Sequence, residues 1–499
     1  MKKKLVSVNK ALVGFLLVLI LAVCSAVAIS GASTESEPLP PLQINMMIAY
    51  DGIEFPQPDN EAQRLIEEYT NTKLVITAYP GSTVHELLPT MIASNELPMV
   101  TSFGGSQLTR PYMVNAMRSG IFWDLTDVIQ QFENLSSIPE IAYKNYALDG
   151  HLYGLPKERG IARDAIAYRY DWLQNLGMDE PETLDDFYAM LLAFTKDDPD
   201  QNGKDDTYGS ATAQVNRFAA LHGAPNVWEF RDSTMVPARL APEYMEALDK
   251  MREMYAEGVF HKETAILERS QFEALFTEGI AGVYMNINSS GDPSRMAQSE
   301  AVIRVNGVFP GKNGTFTTAG NGHNGINTIS TGSVKDEADM LRIVEFFDKL
   351  GDEVMCNQLV LGLEGVHYNI INGEAVSIPE MEDERNSIFR AYSGPIAACY
   401  PDFRIIPIKQ EYWERRAAEI LEENLPYAKR NDATGLISDT YIEHGADLDT
   451  MMSDADVQYY MGVIDKDAYI TILQQWRERG GDKIIDEYTA AYKQANGIQ

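Results

Sequence analysis

The chain has few cysteines. Three occur in 499 residues, and Cys24 lies near the amino terminus, which leaves Cys356 and Cys399 for the folded part. Two thiols form at most one disulfide, so a disulfide-stapled scaffold is excluded and the fold must depend on a hydrophobic core. The sequence leaves open whether these two cysteines pair.

Positive charge is also scarce. The chain has 41 Lys and Arg against 73 Asp and Glu, a formal net charge of -32 at pH 7. The first 32 residues carry four lysines and no acid, so the remaining 467 residues have a net charge of -36. Such a surface repels nucleic acids and anionic lipids and favours solubility. We therefore expect no nucleic-acid partner.

Catalytic motifs are missing as well. The sequence contains no G-x-S-x-G nucleophile elbow and no H-E-x-x-H metal motif, and its seven histidines are scattered. His222, His323 and His367 lie in glycine-rich or loop contexts, where polar contacts or plain surface are simpler interpretations than a catalytic base. We predict that the protein is not an enzyme. The alternative is an exported glycan-active enzyme that uses a carboxylate pair.

The amino terminus has the pattern of an export signal. MKKK and Lys10 form a basic region, and the apolar run ALVGFLLVLILAV follows. Residues 1–32 fit a lipoprotein signal acylated at Cys24, a secretory signal cleaved at a small-residue site, or an uncleaved membrane anchor. All three place the folded part outside the cytoplasm. Residues 33–41 are polar and proline-rich, which predicts a linker.

Hydrophobic periodicity predicts an α/β fold. The strand-like runs Leu42–Ala49 and Lys73–Ala78 flank a helical segment, and a third apolar run ends at Phe103. A strand, a helix and a strand at this spacing form a parallel α/β unit, whose strand ends carry ligand-contacting loops. Amphipathic segments near the end of the chain predict a helical carboxyl-terminal part.

The segment DPDQNGKDDTYG, residues 198–209, has the pattern of an incomplete calcium loop. Oxygen-bearing side chains alternate along it, and Gly203 stands where such a loop bends, but Gly209 replaces the bidentate glutamate of a regular EF-hand. The candidate ligands are the side chains of Asp198, Asp200, Asn202 and Asp206, the Lys204 carbonyl and a Thr207 oxygen. The alternative is a surface turn that binds no ion, because Asp, Asn and Gly favour turns by themselves.

Several motifs follow one another in an order that is specific as a set. They are DGHLYGLP at 149–156, YRYDWL at 168–173, PETLDDF at 181–187, MYAEGVF at 254–260, FTEGIAGVYM at 276–285, LGLEGVHY at 361–368 and GGDKIIDEYTAAY at 480–492. Together with the DPDQNG loop, they resemble the extracellular solute-binding proteins of ABC transporters. The resemblance is to the lipoprotein-type branch that captures oligosaccharides in Gram-positive bacteria.

The resemblance implies a two-lobed, periplasmic-binding-protein-like α/β fold with hinge crossings near residues 157–161 and 317–321. Lobe one would hold residues 42–158 and 318–350, and lobe two residues 159–317 and 351–499. The implied function is the extracytoplasmic substrate-binding component of an ABC importer, which captures an oligosaccharide between its lobes.

The implied partners are the oligosaccharide, the permease subunits and the cell membrane. A monomer is expected at the bacterial surface, attached through a lipid or the amino-terminal anchor, with structural Ca²⁺ in the DPDQNG loop. A glycan- or peptide-binding surface protein without a transport role shares these features. The sequence leaves open the sugar, its length and whether the ligand is a peptide.

Sugar sites pair flat aromatic rings with polar side chains. By position in the family, the candidate ligand contacts are Phe103, Arg163, Trp228, Tyr284, Asn286, Glu364, His367 and Tyr368. Lobe one is expected to contribute the loop at Phe103. For each residue, core packing or a solvated loop is the alternative. Arg159, Arg163 and Arg169 would together suit an acidic sugar, although surface ion pairs explain them equally well.

Overall fold

A computed structural model describes most of the mature part of the chain. The described residues are 39–50, 54–287, 296, 298, 300–396, 405–409 and 412–498. Cys24 and Cys399 lie outside them, so the predicted lipidation and the open disulfide question concern residues that are not described. Among the described residues, no helix combines the length and the hydropathy that a membrane span needs.

The strands of the described part are short, and most are paired in two sheets. They are β1 (Leu42–Ala49), β2 (Thr72–Tyr79), β3 (Val100–Phe103), β4 (Leu155–Glu158), β5 (Ala165–Arg169), β6 (Tyr208–Ser210), β7 (Trp228–Arg231), β8 (Thr234–Pro237), β9 (Ala281–Ile287), β10 (Ile303–Asn306), β11 (Thr317–Thr318), β12 (His323–Ile329), β13 (Tyr368–Ile371), β14 (Glu374–Ser377) and β15 (Ala428–Lys429).

Helices surround both sheets and make up the carboxyl-terminal part, as predicted. They are α1 (Glu61–Thr70), α2 (Gly81–Ser94), α3 (Pro111–Arg118), α4 (Glu133–Ser137), α5 (Glu140–Lys144), α6 (Tyr170–Leu176), α7 (Leu184–Lys196), α8 (Val215–Leu221), α9 (Pro242–Ala256), α10 (Arg269–Thr277), α11 (Glu337–Lys349), α12 (Glu353–Leu361), α13 (Glu382–Glu384), α14 (Arg390–Ile396), α15 (Tyr412–Asn424), α16 (Asp439–Tyr460), α17 (Lys466–Trp476) and α18 (Asp482–Asn496).

The first sheet has the strand order β2-β1-β3-β12-β4. β1 pairs in parallel with β2 and β3, which confirms the predicted α/β unit, and β12 runs antiparallel to β3 and β4. The carboxyl ends of β1 to β4 therefore lie at one edge. In open α/β sheets this edge carries the ligand-contacting loops.

The second sheet has the order β10-β5-β9-β6, and each sheet has its own hydrophobic core. The first core includes Ile44, Val100 and Ile326, whereas the second includes Phe187 and Met251. Full burial of one such side chain contributes about 1.5–3 kcal/mol. The molecule is therefore a two-lobed α/β protein, and we call the sheets with their cores the first and second lobes.

The chain from α12 through α14 packs on the first lobe. Met355, Leu359, Phe389, Tyr392 and Ile396 all belong to the first core. The family resemblance assigns residues 351–499 to the second lobe. We propose instead that residues 353–396 belong to the first lobe, because α12, Phe389 and α14 bury apolar side chains in the first core.

Candidate functional site

Two connections between the lobes lie side by side. β4 leads into β5 through residues 159–164, and β10 leads to β12 through residues 307–322, which contain β11. The Gly320 N–H donates to the Ile161 carbonyl at 2.7 Å, so the two segments are hydrogen bonded to each other. The predicted crossing near residues 317–321 lies in the second connection, whereas the one near residues 157–161 covers the end of β4 and the start of the first connection.

Two side-chain amides attach these connections to the second lobe. Nδ2 of the fully buried Asn424 donates to the carbonyl oxygens of Ala162 at 3.1 Å and Asp164 at 2.7 Å. Asn226 Nδ2 donates to the Ala319 carbonyl at 2.8 Å. A buried carbonyl without a hydrogen-bond partner costs about 1–3 kcal/mol. These bonds therefore hold both connections against the second lobe.

The three arginines considered for an acidic sugar do not form one cluster. Arg163 precedes β5 and Arg169 ends it, and strand geometry separates such positions by roughly 20 Å. Arg169 is buried in an ion pair with Asp171, and its guanidinium lies 4.7 Å from the centre of the Trp172 ring. Arg159 donates to Asn324 Oδ1 at 2.8 Å. Arg169 therefore has a structural role in the second lobe.

A pocket lined by aromatic rings opens beside β7 in the second lobe. Its volume is about 260 Å³. Its aromatic and polar lining residues include Trp228, Tyr244, Tyr441, Trp476, Asn216, Arg239, Asp449 and Ser453. We call this cavity the aromatic pocket. Rings of this kind suit the C–H faces of a sugar, and the polar groups beside them suit its hydroxyls.

Four secondary-structure elements place these side chains. Trp228 begins β7, and its ring packs edge-to-face against Tyr488 of α18 with centroids 5.1 Å apart. The long helix α16 begins at the Ser438 cap and carries Tyr441 and Asp449, whose side chains are joined by a 2.7 Å hydrogen bond from the tyrosine hydroxyl. Trp476 ends α17. Trp228, one of the predicted ligand contacts, thus lies in the pocket wall.

A buried carboxylate orients the arginine of the aromatic pocket. Asp456 is 3% exposed and accepts hydrogen bonds from Arg239 Nε at 2.9 Å, Tyr244 Oη at 2.8 Å and Tyr469 Oη at 2.8 Å. Burial raises the pKa of Asp456, whereas Arg239 and the two hydroxyls oppose that rise. Arg239 also donates to Ser453 Oγ at 3.2 Å. The guanidinium is therefore held in one orientation at the pocket wall.

The first lobe contributes charge near this pocket. Burial and the Asp449 carboxylate raise the pKa of the Tyr441 hydroxyl, while the positive charges of Arg110 and Arg239 lower it. Arg110 follows β3 at the carboxyl edge of the first sheet and is exposed. The Phe103 ring, one of the predicted ligand contacts, is itself fully buried in the first core.

A second cavity, of about 880 Å³, has walls from both lobes. Its lining comes from residues within 141–150 of the first lobe, from Gly320 and Asn321, and from residues within 430–437 and 491–496. Rotation of one lobe against the other changes the shape of such a cavity. Its volume lies within the range of about 300–1,000 Å³ that is common for ligand pockets.

Other predicted contacts lie away from the aromatic pocket. Tyr284 is fully buried, with its ring centroid 5.8 Å from that of Phe276, and Asn286 follows it in β9. Arg163 lies two residues before β5 and is half-buried. The enclosed Tyr284 ring therefore presents no face to a ligand.

The segment from Glu364 to Tyr368 packs beside the first lobe. His367 is 1% exposed, accepts from the Leu363 N–H at Nδ1 over 3.0 Å and lies edge-to-face against Phe389. Tyr368 is buried in a small core of its own, and Glu364 is exposed. The resemblance places this segment in lobe two with Trp228, whereas the structure separates the two.

Sequence reasoning missed Arg239, Tyr441, Asp449 and Trp476. Their only local signal was an aromatic or charged residue in or before an amphipathic helix, which core packing explains as well. Asp449 and Tyr441 are eight positions apart on α16, close to two helical turns, so they share a face. That spacing could have marked them as a pair, but not as the wall of a pocket.

The DPDQNG segment forms a closed loop after α7. The Gly203 N–H donates to Asp198 Oδ2 at 3.1 Å, and Asn202 Nδ2 donates to Asp206 Oδ1 at 3.1 Å. Burial raises the pKa of Asp200, and the nearby carboxylates of Asp198 and Asp206 add to that rise. Gathered negative charge and oxygen donors suit a hard cation such as Ca²⁺.

This fit is incomplete. The Thr207 hydroxyl donates to the Phe194 carbonyl at 2.9 Å and is buried, so that oxygen faces the protein interior. Within the described residues, no group of three or more His, Cys, Asp or Glu side chains is arranged to hold a metal ion. The Lys204 carbonyl and the four Asp and Asn side chains remain the candidate ligands, and calcium in this loop stays a proposal.

Comparison with known proteins decides the family. The model of the family "bacterial extracellular solute-binding protein" matches residues 54–350. The chain belongs to this family. The polygalacturonan/rhamnogalacturonan-binding protein YtcQ of Bacillus subtilis is 31% identical over 458 residues, which cover 88% of this chain and 89% of YtcQ.

Two further similarities span most of this solute-binding protein. Lipoprotein LipO of Bacillus subtilis is 29% identical over 465 residues, or 88% of this chain and 90% of LipO. The solved structure of an EF-hand mutant of the S. pneumoniae ABC-transporter substrate-binding protein FusA, in complex with fructo-nystose, matches with a TM-score of 0.69. That match has 18% identity and covers 92% of this chain and all of the other, which supports the two-lobed fold.

Proposed function

We propose that this solute-binding protein captures an oligosaccharide outside the cytoplasm and delivers it to an ABC importer. The observation that carries the proposal is the aromatic pocket, in which Trp228 and Tyr441 stand beside the oriented Arg239 and Asp449. An aromatic platform with oriented hydrogen-bonding groups is the usual chemistry of sugar recognition. The names of YtcQ and of the FusA complex, both saccharide binders, support the same ligand class.

Capture proceeds by closure of the two lobes. The ligand lies in the aromatic pocket and contacts the loop between Phe103 and Arg110, so it stabilises the closed arrangement by touching both lobes. Asn226 and Asn424 hold the crossings on the second lobe. Rotation is therefore concentrated at the first-lobe ends of the crossings, near residues 158–160 and 320–323.

The proposal includes no catalytic step. Glycoside hydrolysis needs two carboxyl groups placed across the scissile bond, whereas Asp456 is enclosed by three donors and Asp449 already accepts from Tyr441. Asp198, Asp200, Asn202 and Asp206 with the Lys204 carbonyl would hold a structural calcium ion. Residues 1–32 would export the chain, with Cys24 as the lipid attachment site, in keeping with the lipoprotein name of LipO.

A thermal-shift screen of the purified mature protein against oligosaccharides and peptides tests the proposal. A ligand that binds only the folded state raises the melting temperature, and we expect this from an oligosaccharide. Small-angle scattering should show a smaller radius of gyration with that sugar, and chromatography should show the sugar intact after overnight incubation. Stabilisation by peptides alone, or sugar cleavage that follows the protein through repurification, would overturn the proposal.

A further inference from the structure

One arginine and two aspartates of the second lobe set the charge at the aromatic pocket. Arg239 and Asp449 line it, and Asp456 lies directly behind Arg239. The single guanidinium of the pocket wall is therefore outnumbered by carboxylates.

Asp456 is the least expected of these groups. It lies within α16 between the buried residues Met452 and Tyr460, where an unpaired charge would be costly. Its three donors satisfy the carboxylate, and one of them is Nε of Arg239. The positive charge of Arg239 is therefore compensated before any ligand arrives.

We propose that Asp456 makes the aromatic pocket selective for an uncharged sugar unit over a uronate. This inference rests on the proposed function. The hydroxyls of a neutral sugar donate to Asp449 and accept from Arg239 and Ser453, so both signs of charge are satisfied. The carboxylate of a uronate is repelled by Asp449 and meets an arginine already paired with Asp456.

The experiment compares matched ligands on matched variants. Calorimetry measures Kd for oligomers of galacturonate, glucuronate and mannuronate and for their carboxyl-reduced, neutral counterparts. For the sugar pair that binds best, the wild type should bind the neutral oligomer at least about tenfold more tightly than the uronate oligomer. Asp456→Asn keeps the shape of the side chain and leaves the charge of Arg239 uncompensated. The ratio of the affinity for the neutral oligomer to that for the uronate oligomer should therefore fall by about ten- to a hundredfold, which corresponds to one charge-assisted hydrogen bond.

Asp447→Asn is the control, because it removes one exposed carboxylate from the same helix and should leave the ratio unchanged. If Asp456→Asn does not fold, Arg239→Gln serves instead and should discriminate against uronates more strongly than the wild type. A wild type that prefers the uronate, or an unchanged ratio in the folded Asp456→Asn variant, overturns the inference while leaving oligosaccharide binding intact. Failure of every sugar to bind defeats both the inference and the proposed function.

Discussion

Replacing Trp228 by Ala should weaken sugar binding by at least about tenfold, or 1.4 kcal/mol. Trp228 is 6% exposed, lines the aromatic pocket and packs on Tyr488. Removal of such a ring costs about 3–5 kcal/mol of folding stability, and its edge-to-face pair accounts for about 0.5–1.5 kcal/mol more. The variant should stay folded at 25 °C if the wild type's free energy of unfolding lies in the upper part of the usual range of about 5–15 kcal/mol.

Trp172→Ala provides the matched control. Trp172 is fully buried and packs edge-to-face on Phe194 at 5.4 Å, but it does not line the aromatic pocket. Urea unfolding should show similar losses of stability in both variants, while calorimetry with the best oligosaccharide of the screen should show lost affinity in Trp228→Ala alone. Wild-type affinity in Trp228→Ala, or equal losses of affinity in the two variants, would refute the assignment of the Trp228 ring to the ligand site.

Three further perturbations have defined outcomes. Calcium chelation should lower the melting temperature of the wild type but not of Asp200→Ala, because an ion that binds only the folded loop stabilises the folded protein. Identical melting of the wild type with calcium and with chelator would favour a surface turn that binds no ion. Burial raises the pKa of Glu67, but bonds from Gln63, the Leu74 N–H and Lys73 outweigh it and leave the pKa below 4.5. The stabilisation by ionised Glu67 is therefore complete above about pH 4.5 and is lost as pH falls through the lowered pKa. In urea unfolding, Glu67→Gln should reduce the loss of unfolding free energy at acidic pH. The same loss in the variant and the wild type contradicts this. Asn424→Ala leaves two hinge carbonyls without partners and should cost about 2–4 kcal/mol in the same assay; a cost under about 0.5 kcal/mol would show that water replaces the amide.

Local patterns in the sequence determined most of the secondary structure. β1 spans the residues predicted from its apolar run, Leu42–Ala49, and the capping box of Thr183 and Asp186 begins α7 as expected. Such features depend on residues a few positions apart, so periodicity and capping chemistry are readable without the fold. The ordered set of motifs likewise identified the family, which the match over residues 54–350 confirms.

Only the tertiary structure decided how the site is built. Arg239 and Asp456 are 217 positions apart, and Trp228 meets Tyr488 only because α18 packs on the β7–β8 hairpin. In the sequence Tyr284 and Trp228 are equivalent candidates, yet one ring is enclosed beside Phe276 and the other lines the aromatic pocket. Periodicity states that a side chain is buried but not what lies against it, because that depends on the packing of elements far apart in the chain.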